Sequence, residues 1–304
     1  MAHIHDHQAI SGKKLVWTIL FNLVITAAEF IGGLITGYLA LIADAIHNLS
    51  DVAALGLAWL GVKGSQRPAT KKSTYGFKRV EVMTAFISAV SLVVIAIYIV
   101  IEAYERYLNP TPITQPGIFL TVAVIGLLGN VFSIWVLHAE KGKSLNMKTA
   151  FIHMAYDAVS SVIVIGGGIV IMFTDFYLID PILATAIALM ICWSSWLVIK
   201  EAVMIFMEAV PEGIDFDKVL KALRDLPRVE DVHHLHIWSL SSSEIALSCH
   251  IGLNEVNYQS GPDILGEINS LLHERFNIGH ATIQLEKCGQ GQPGLGCRTN
   301  QHLE

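Results

Sequence analysis

The sequence is poor in charged residues, which occupy only 15% of its 304 positions. Soluble domains carry about 25% charged residues, so this shortage excludes an ordinary water-soluble globular protein. The hydrophobic share is high in turn, at 53%, and the mean hydropathy is +0.54. The composition therefore predicts a protein that lies largely within a lipid bilayer.

Cysteine is scarce as well, with four residues far apart along the chain. This spacing excludes a disulfide framework, and it separates Cys288 from Cys297 too widely for a Cys-x-x-Cys metal site, so we expect free thiols. The polar final third has no basic face, which excludes nucleic acid as a partner. The sequence also lacks the HExxH motif of zinc peptidases.

Long apolar runs are abundant, and about 20 apolar residues are needed to cross the hydrocarbon core. Six runs of that length occur, at roughly 15–36, 39–62, 81–104, 115–137, 149–173 and 178–206. The first is too long for the apolar core of a signal peptide, so we expect it to be retained as a spanning helix.

The segments between these runs differ in charge. One set carries 11 basic residues, namely Lys13, Lys14, Lys63, Arg67, Lys71, Lys72, Lys78, Arg79, Lys141, Lys143 and Lys148. The opposite set carries Arg106 alone. By the positive-inside rule, this asymmetry predicts six transmembrane helices with both termini in the cytoplasm.

The composition changes near residue 209. Residues 209–304 hold 7 basic and 13 acidic residues, whereas residues 1–208 hold 13 of each. Helical spacing at 215–226 and 262–276, with alternation at 231–240, 244–253 and 281–288, predicts a small α+β domain. We therefore expect four parts: a histidine-containing segment at 1–14, a membrane domain at 15–208, a cytosolic domain at 209–288 and a disordered tail at 289–304.

Two of the apolar runs carry a histidine and an aspartate four residues apart, His47 with Asp51 and His153 with Asp157. A charged group at the centre of a spanning helix costs about 2.5–3.5 kcal/mol on insertion scales. Residues four apart share a helix face, so each pair presents an imidazole and a carboxylate to one point. Two nitrogens and two oxygens suit tetrahedral Zn²⁺. The sequence therefore predicts one buried metal site assembled from two helices.

Other interpretations of these polar groups are left open by the residues alone. A single pair is equally compatible with a structural dyad or a proton relay, and its repetition in a second helix favours metal. Glu29 and Asp44 are expected to support the ligands or to line a water path, and Asp44 is the first substitute ligand. Further polar residues are expected to join helices by hydrogen bonds, namely Asn22, Asn48, Asn130, Ser50 and Ser160.

Two further motifs accompany the pairs, YGFKRVEV at 75–82 and VHHLHIWSL at 232–240. With them the chain resembles the zinc-transporting branch of the cation diffusion facilitators, over about residues 15–288. The resemblance implies a homodimer that exports zinc from the cytosol in exchange for protons, and a cytosolic domain of ferredoxin-like, metallochaperone-like fold. The histidine in each pair favours zinc, with cadmium and cobalt as further substrates.

The same resemblance implies a zinc site in the cytosolic domain, formed by His233, His250 and Glu286. Gln284 stands where some relatives have a ligating histidine. The contributions of three other residues are left open, namely His236, Asp263 and His280. A histidine on a solvated strand is otherwise an ordinary surface residue.

Two other segments bear on whether further metal sites are expected. Residues 63–79 contain no His, Asp, Glu or Cys, so no metal site is expected there. The HIHDH segment at 3–7 is expected either to collect zinc or to be a tail whose histidines do little.

Rival functions fit these ligands less well. A membrane metalloenzyme needs an open metal position, which four protein ligands do not leave, so no enzyme activity is predicted. A zinc-gated channel or a membrane zinc sensor is compatible with the ligands, but a channel needs weak sites that release readily. Together with the export and the proton exchange that the resemblance implies, this favours a proton-coupled zinc exporter with alternating access. The short loops favour a multi-pass protein of the bacterial inner membrane.

Overall fold

A computed structural model describes residues 12–50, 64, 68–112, 114–138, 145–259 and 261–287 of the chain. Of these, residues 12–22, 133, 136–138, 145–156 and 255 are described without their side chains. The chain divides into two compact units. The first takes the described residues before 58 together with Ile87–Leu197, and the second takes those from 64 to 86 and those from Val198 onward.

Helices lie on all six of the long apolar runs. They are α1 (Gly12–Thr36), α2 (Leu39–Ser50, the described part), α3 (Arg79–Leu108), α4 (Pro116–His138), α5 (Leu145–Thr174) and α6 (Ile179–Phe206). Among the described residues, three stretches are long and apolar enough to cross a membrane, Arg79–Leu108, Asp157–Thr174 and Ile179–Phe206. Apolar stretches in α1, α2 and α4 are shorter in their described parts, so the count of six spans stays a prediction.

Large apolar side chains cover the outer surface of these helices. Phe173 is 84% exposed and Trp135 is 71% exposed. Soluble proteins rarely expose such side chains in continuous bands, whereas lipid-facing surfaces require them. The prediction of an α-helical membrane domain is therefore confirmed.

The turn between α1 and α2 is the best-buried part of the first unit. Gly37 turns the chain with a φ of +73°, a conformation that glycine adopts without strain. The following residue, Tyr38, is fully buried. Its hydroxyl donates to the Val164 carbonyl on α5 at 2.8 Å, and its ring lies edge-on to Phe119 of α4, with centroids 4.6 Å apart. The start of α2 is thus fixed by α4 and α5.

After α6, the described residues of the second unit form a three-stranded mixed sheet and three helices. In chain order these are α7 (Phe216–Arg224), β1 (Asp231–Ser239), β2 (Ile245–Leu253), α8 (Glu255–Tyr258), α9 (Gly261–Phe276) and β3 (His280–Lys287). The strand order is β1-β2-β3, with β1 and β2 antiparallel and β2 and β3 parallel. The predicted α+β domain is confirmed, and the short α8 is an addition to it.

Apolar residues from both helices and strands form the core of this domain. Val219 and Leu223 of α7, Leu247 of β2 and Ile268 and Leu272 of α9 are all fully buried. Alternation along the strands places apolar residues on one face of the sheet against the helices. Polar residues of the strands therefore gather on the other face.

The YGFKRVEV segment also belongs to the second unit. Its residues contact the α+β domain and the end of α6 through one ring contact, two ion pairs and a hydrogen bond. The contacts are Tyr75 with His280, Lys78 with Glu244, Arg79 with Glu208 and Glu81 with Ser242. Exposed ion pairs contribute little stability each, so these contacts connect the start of α3 to the α+β domain without adding much stability.

Candidate metal centres

The first candidate centre lies between α2 and α5. His47 Nε2 is 3.4 Å from Asp157 Oδ1, and the two residues are 8% and 3% exposed. The structure thus brings together one predicted ligand from each helix. Asp51 lies outside the described residues. His153 lies on α5 one turn before Asp157, and its side chain is not among those described.

Hydrogen bonds hold α2 against α5 one turn before His47. Asp44 of α2 is 1% exposed and accepts hydrogen bonds from the hydroxyls of Ser160 and Ser161, the latter at 3.2 Å. Asn130 of α4 donates to the Ser161 hydroxyl at 3.1 Å. Both oxygens of Asp44 are therefore engaged by α5, and this carboxylate fixes the spacing of the two helices that bear the predicted ligands. Asn130 and Ser160 join helices as predicted.

An aspartate that the sequence analysis missed caps the start of α2. Asp180, at the beginning of α6, accepts hydrogen bonds from the backbone N–H groups of Leu39 at 3.1 Å and Ala40 at 2.7 Å. Arg106 of α3 donates to the same carboxylate at 3.2 Å and also to the Gly37 carbonyl. The first N–H groups of a helix lack partners within the helix, and a carboxylate there also favours the helix dipole.

Asp180 could have been flagged in the sequence as an acidic residue within an apolar run. Its hydrogen-bond partners could not have been predicted from the sequence, because Leu39 and Ala40 precede Asp180 by 141 and 140 residues.

The second candidate centre lies on the polar face of the sheet. His233 of β1 pairs directly with His250 of β2, and Glu286 lies on the neighbouring β3. His250 Nδ1 is 2.7 Å from Glu286 Oε1, and His233 Nε2 is 3.3 Å from Glu286 Oε2. One ligand atom from each of the three residues falls within 4.8 Å of the others. All three predicted ligands of the cytosolic domain therefore meet at one point.

The residues around this cluster orient its side chains. Asp231 Oδ2 lies 3.1 Å from Nδ1 of His233, and Gln284 donates to Glu286 at 2.9 Å. The first contact fixes the His233 ring, whose other nitrogen is available to bind a metal, and the second fixes the Glu286 carboxylate. Two imidazoles and a carboxylate suit Zn²⁺, with one coordination position left for water or a further ligand.

His234 is a neighbour that the sequence analysis did not single out. The register of β1 on β2 shifts between His233 and His236, and His234 has a φ of +49°. The bulge brings the His234 ring within 5.1 Å of the His250 ring. In a regular strand, His234 would lie on the opposite face of the sheet from His233. Its contact with His250 therefore depends on the bulge.

The other candidates lie elsewhere or beyond the described residues. His280 packs against Tyr75, with ring centroids 5.5 Å apart, and does not join the cluster. His236 and Asp263 are exposed. The HIHDH segment, Cys288 and the tail lie outside the described residues. Cys249 is buried, and burial raises the pKa of its thiol to about 12.

The sequence matches two families in succession. The cation efflux transmembrane domain matches residues 15–207, and the cytoplasmic domain of cation efflux proteins matches residues 211–288.

Full-length relatives give the same result. The chain is 36% identical to the metal cation efflux system protein CzcD of Cupriavidus metallidurans over 93% of this chain and 89% of that protein. It is 34% identical to the zinc transporter ZitB of Escherichia coli over 99% and 97% of the two chains. It is 33% identical to the cadmium, cobalt and zinc/H(+)-K(+) antiporter of Bacillus subtilis over 93% and 91%. This chain therefore belongs to the cation efflux family of membrane transporters.

Proposed function

We propose that this protein is a secondary active transporter that exports zinc from the cytosol in exchange for protons, by alternating access. Cadmium and cobalt are further substrates, because the Bacillus subtilis relative is named for all three metals. The transporter works as a homodimer in a bacterial inner membrane, with six spans and both termini in the cytoplasm. Its membrane domain is 15–208 and its cytosolic domain is 209–288, between the short segments 1–14 and 289–304.

The contact between His47 and Asp157 is the observation that carries this proposal. Asp51 follows His47 by one turn, and His153 precedes Asp157 by one turn. Residues at this spacing share a helix face, so the 3.4 Å approach of His47 to Asp157 supports a common centre for all four. The resulting N₂O₂ donor set suits tetrahedral zinc, whose positive charge offsets the two carboxylates in a medium of low dielectric constant.

The same donor set supports exchange with protons. A histidine binds a metal through a neutral ring nitrogen, and an aspartate binds it through an ionised oxygen. Zinc and protons therefore compete for these side chains. Free histidine titrates at about pH 6.5, close to physiological conditions. A site that has released zinc outside is refilled with protons, which cytosolic zinc then displaces.

The cytosolic domain binds zinc in addition, through His233, His250 and Glu286. One ligand atom of each residue lies within 4.8 Å of the others, and a zinc ion at their centre is bound by all three. This zinc is bound rather than transported, because the cluster lies in the α+β domain and not between the apolar helices.

Zinc uptake into proteoliposomes of the full-length protein tests the proposal. An imposed pH gradient should accelerate uptake in the wild type. Asp157→Ala should abolish uptake, whereas Glu105→Ala, which changes an exposed acid on α3, should leave it unchanged. Zinc uptake that does not depend on the pH gradient would favour a channel. No zinc uptake in competent vesicles would favour a sensor.

A further inference from the structure

A carboxyl group outside the predicted zinc ligands is buried in the membrane domain. Glu29 lies on α1 and is 1% exposed. A buried ionisable group in a spanning helix costs about 2.5–3.5 kcal/mol on insertion scales. Such groups face the interior of a helix bundle and commonly mark ion or proton pathways.

The two oxygens of Glu29 have different surroundings. Oε2 accepts a hydrogen bond from Asn48 Nδ2 of α2 at 3.3 Å. Oε1 is fully buried and has no hydrogen-bond partner among the described residues. An ionised carboxylate in this position would leave one oxygen unsatisfied in a medium of low dielectric constant, which is strongly unfavourable.

The neighbouring helix is shaped to receive this carboxyl group. A Cβ atom at Gly126 of α4 would lie 1.6 Å from Glu29 Oε1, far inside any possible contact. Any residue larger than glycine at position 126 would therefore expel the carboxyl group or displace α4. The burial of Glu29 is thus built into two helices.

No described cation compensates Glu29. On α2, the charged residue one turn before Asn48 is Asp44, which is itself an acid. Between Pro116 and Trp135, α4 contains no ionisable side chain, and Glu29 is the sole one between Leu23 and Thr36 of α1. Within the described part of the bundle, no positive charge therefore offsets a negative charge on this carboxyl group.

We propose that Glu29 binds one of the protons that are exchanged for zinc, at a position separate from the zinc ligands. Asn48, its hydrogen-bond donor, immediately follows the predicted ligand His47 on α2. If His47 moves when it binds zinc, Asn48 moves with it, and the hydrogen bond from Asn48 to Glu29 changes as well. Loss of the proton leaves a carboxylate and delivers the proton to water, and uptake of a proton restores the carboxyl group. This inference rests on the proposed proton-coupled transport.

The number of protons moved per zinc ion tests the inference. Zinc and proton fluxes are recorded together in proteoliposomes of the full-length protein, and zinc binding is measured by calorimetry. Glu29→Gln, which keeps the shape of the protonated side chain, should lower the ratio by one proton per zinc. Its zinc Kd should stay within about threefold of the wild-type value, a change below 1 kcal/mol. An unchanged ratio would overturn the inference, and so would a large loss of zinc binding, which would make Glu29 part of the metal site.

A second variant keeps the inference testable if Glu29→Gln does not fold. Asn48→Ala removes the donor to Oε2, and the charged carboxylate loses its hydrogen bond. The pH dependence of zinc uptake should then differ from that of the wild type, because Glu29 has lost this hydrogen bond. An unshifted profile would count against Glu29. If the wild type moves zinc without protons, the proposed function itself fails, whatever these variants do.

Discussion

The cap on α2 gives a quantitative test of how the first unit is held together. Asp180→Ala removes the acceptor of two backbone N–H groups at the start of α2, and it removes a buried partner of Arg106. The Asp180 and Arg106 side chains are 7% and 16% exposed, so water replaces neither contact well. His47 follows Ala40 by seven residues, about 10 Å along the helix, so its position depends on this end.

The expected loss follows from these contacts. Replacing a capping aspartate by alanine costs about 0.5–2 kcal/mol, and removing one partner of a buried ion pair costs about 3–5 kcal/mol. Arg106 retains Glu102 at 3.0 Å and the Gly37 carbonyl, so the second contribution is reduced. We expect Asp180→Ala to lower the free energy of unfolding by about 2–4 kcal/mol in total.

Reversible unfolding in mixed micelles, followed by circular dichroism, measures this change. Glu105→Ala is the matched control, since an exposed substitution on α3 should change the free energy of unfolding by less than about 0.5 kcal/mol. Asp180→Ala should also weaken zinc binding, and Asp180→Asn, which keeps an acceptor oxygen, should recover part of both losses. If Asp180→Ala were as stable as the control and bound zinc normally, the proposed cap would not position α2.

Two further predictions concern the cytosolic domain. His250→Ala should remove one bound zinc per chain in calorimetric titration of the full-length protein, whereas His273→Ala, an exposed histidine on α9, should remove none; equal stoichiometries in both variants would contradict the cluster. Hydrogen bonds from the Lys218 side chain and backbone hold the pKa of Asp215, the N-cap of α7, below its usual value of 3.8. The stabilisation is therefore present above pH 3.8 and is lost as the pH falls through the lower folded-state pKa. The stability difference between the wild type and Asp215→Ala should accordingly disappear in strong acid, and a difference that persists there would refute the assignment.

Much of the secondary structure and the predicted metal ligands of the membrane domain could be inferred from short-range spacing in the sequence. His47 and Asp51 are four residues apart, as are His153 and Asp157. Helix geometry alone then predicts that the two residues of each pair share a helix face. Alternation in β1 and β2 likewise predicted two strands, whereas His233 and His250 were expected as ligands from the family resemblance; the sheet pairs them directly. Such inferences need only the period of each element.

Contacts between distant segments could not be predicted in this way. The cap by Asp180 and the Gly126 recess for Glu29 depend on which helices adjoin and at what height, which no local pattern encodes. The His234 contact depends on a bulge that shifts the strand register. The missed features are therefore those that only the packed bundle or the paired sheet defines.

The most direct test of the central claim is zinc-driven proton movement without an imposed pH gradient. A zinc gradient is applied across proteoliposomes of the full-length protein, and the internal pH is followed with a trapped dye. Protons should move against zinc in the wild type and in Glu105→Ala, and should not move in Asp157→Ala. Zinc that crosses the membrane with no proton movement in the wild type would contradict the account.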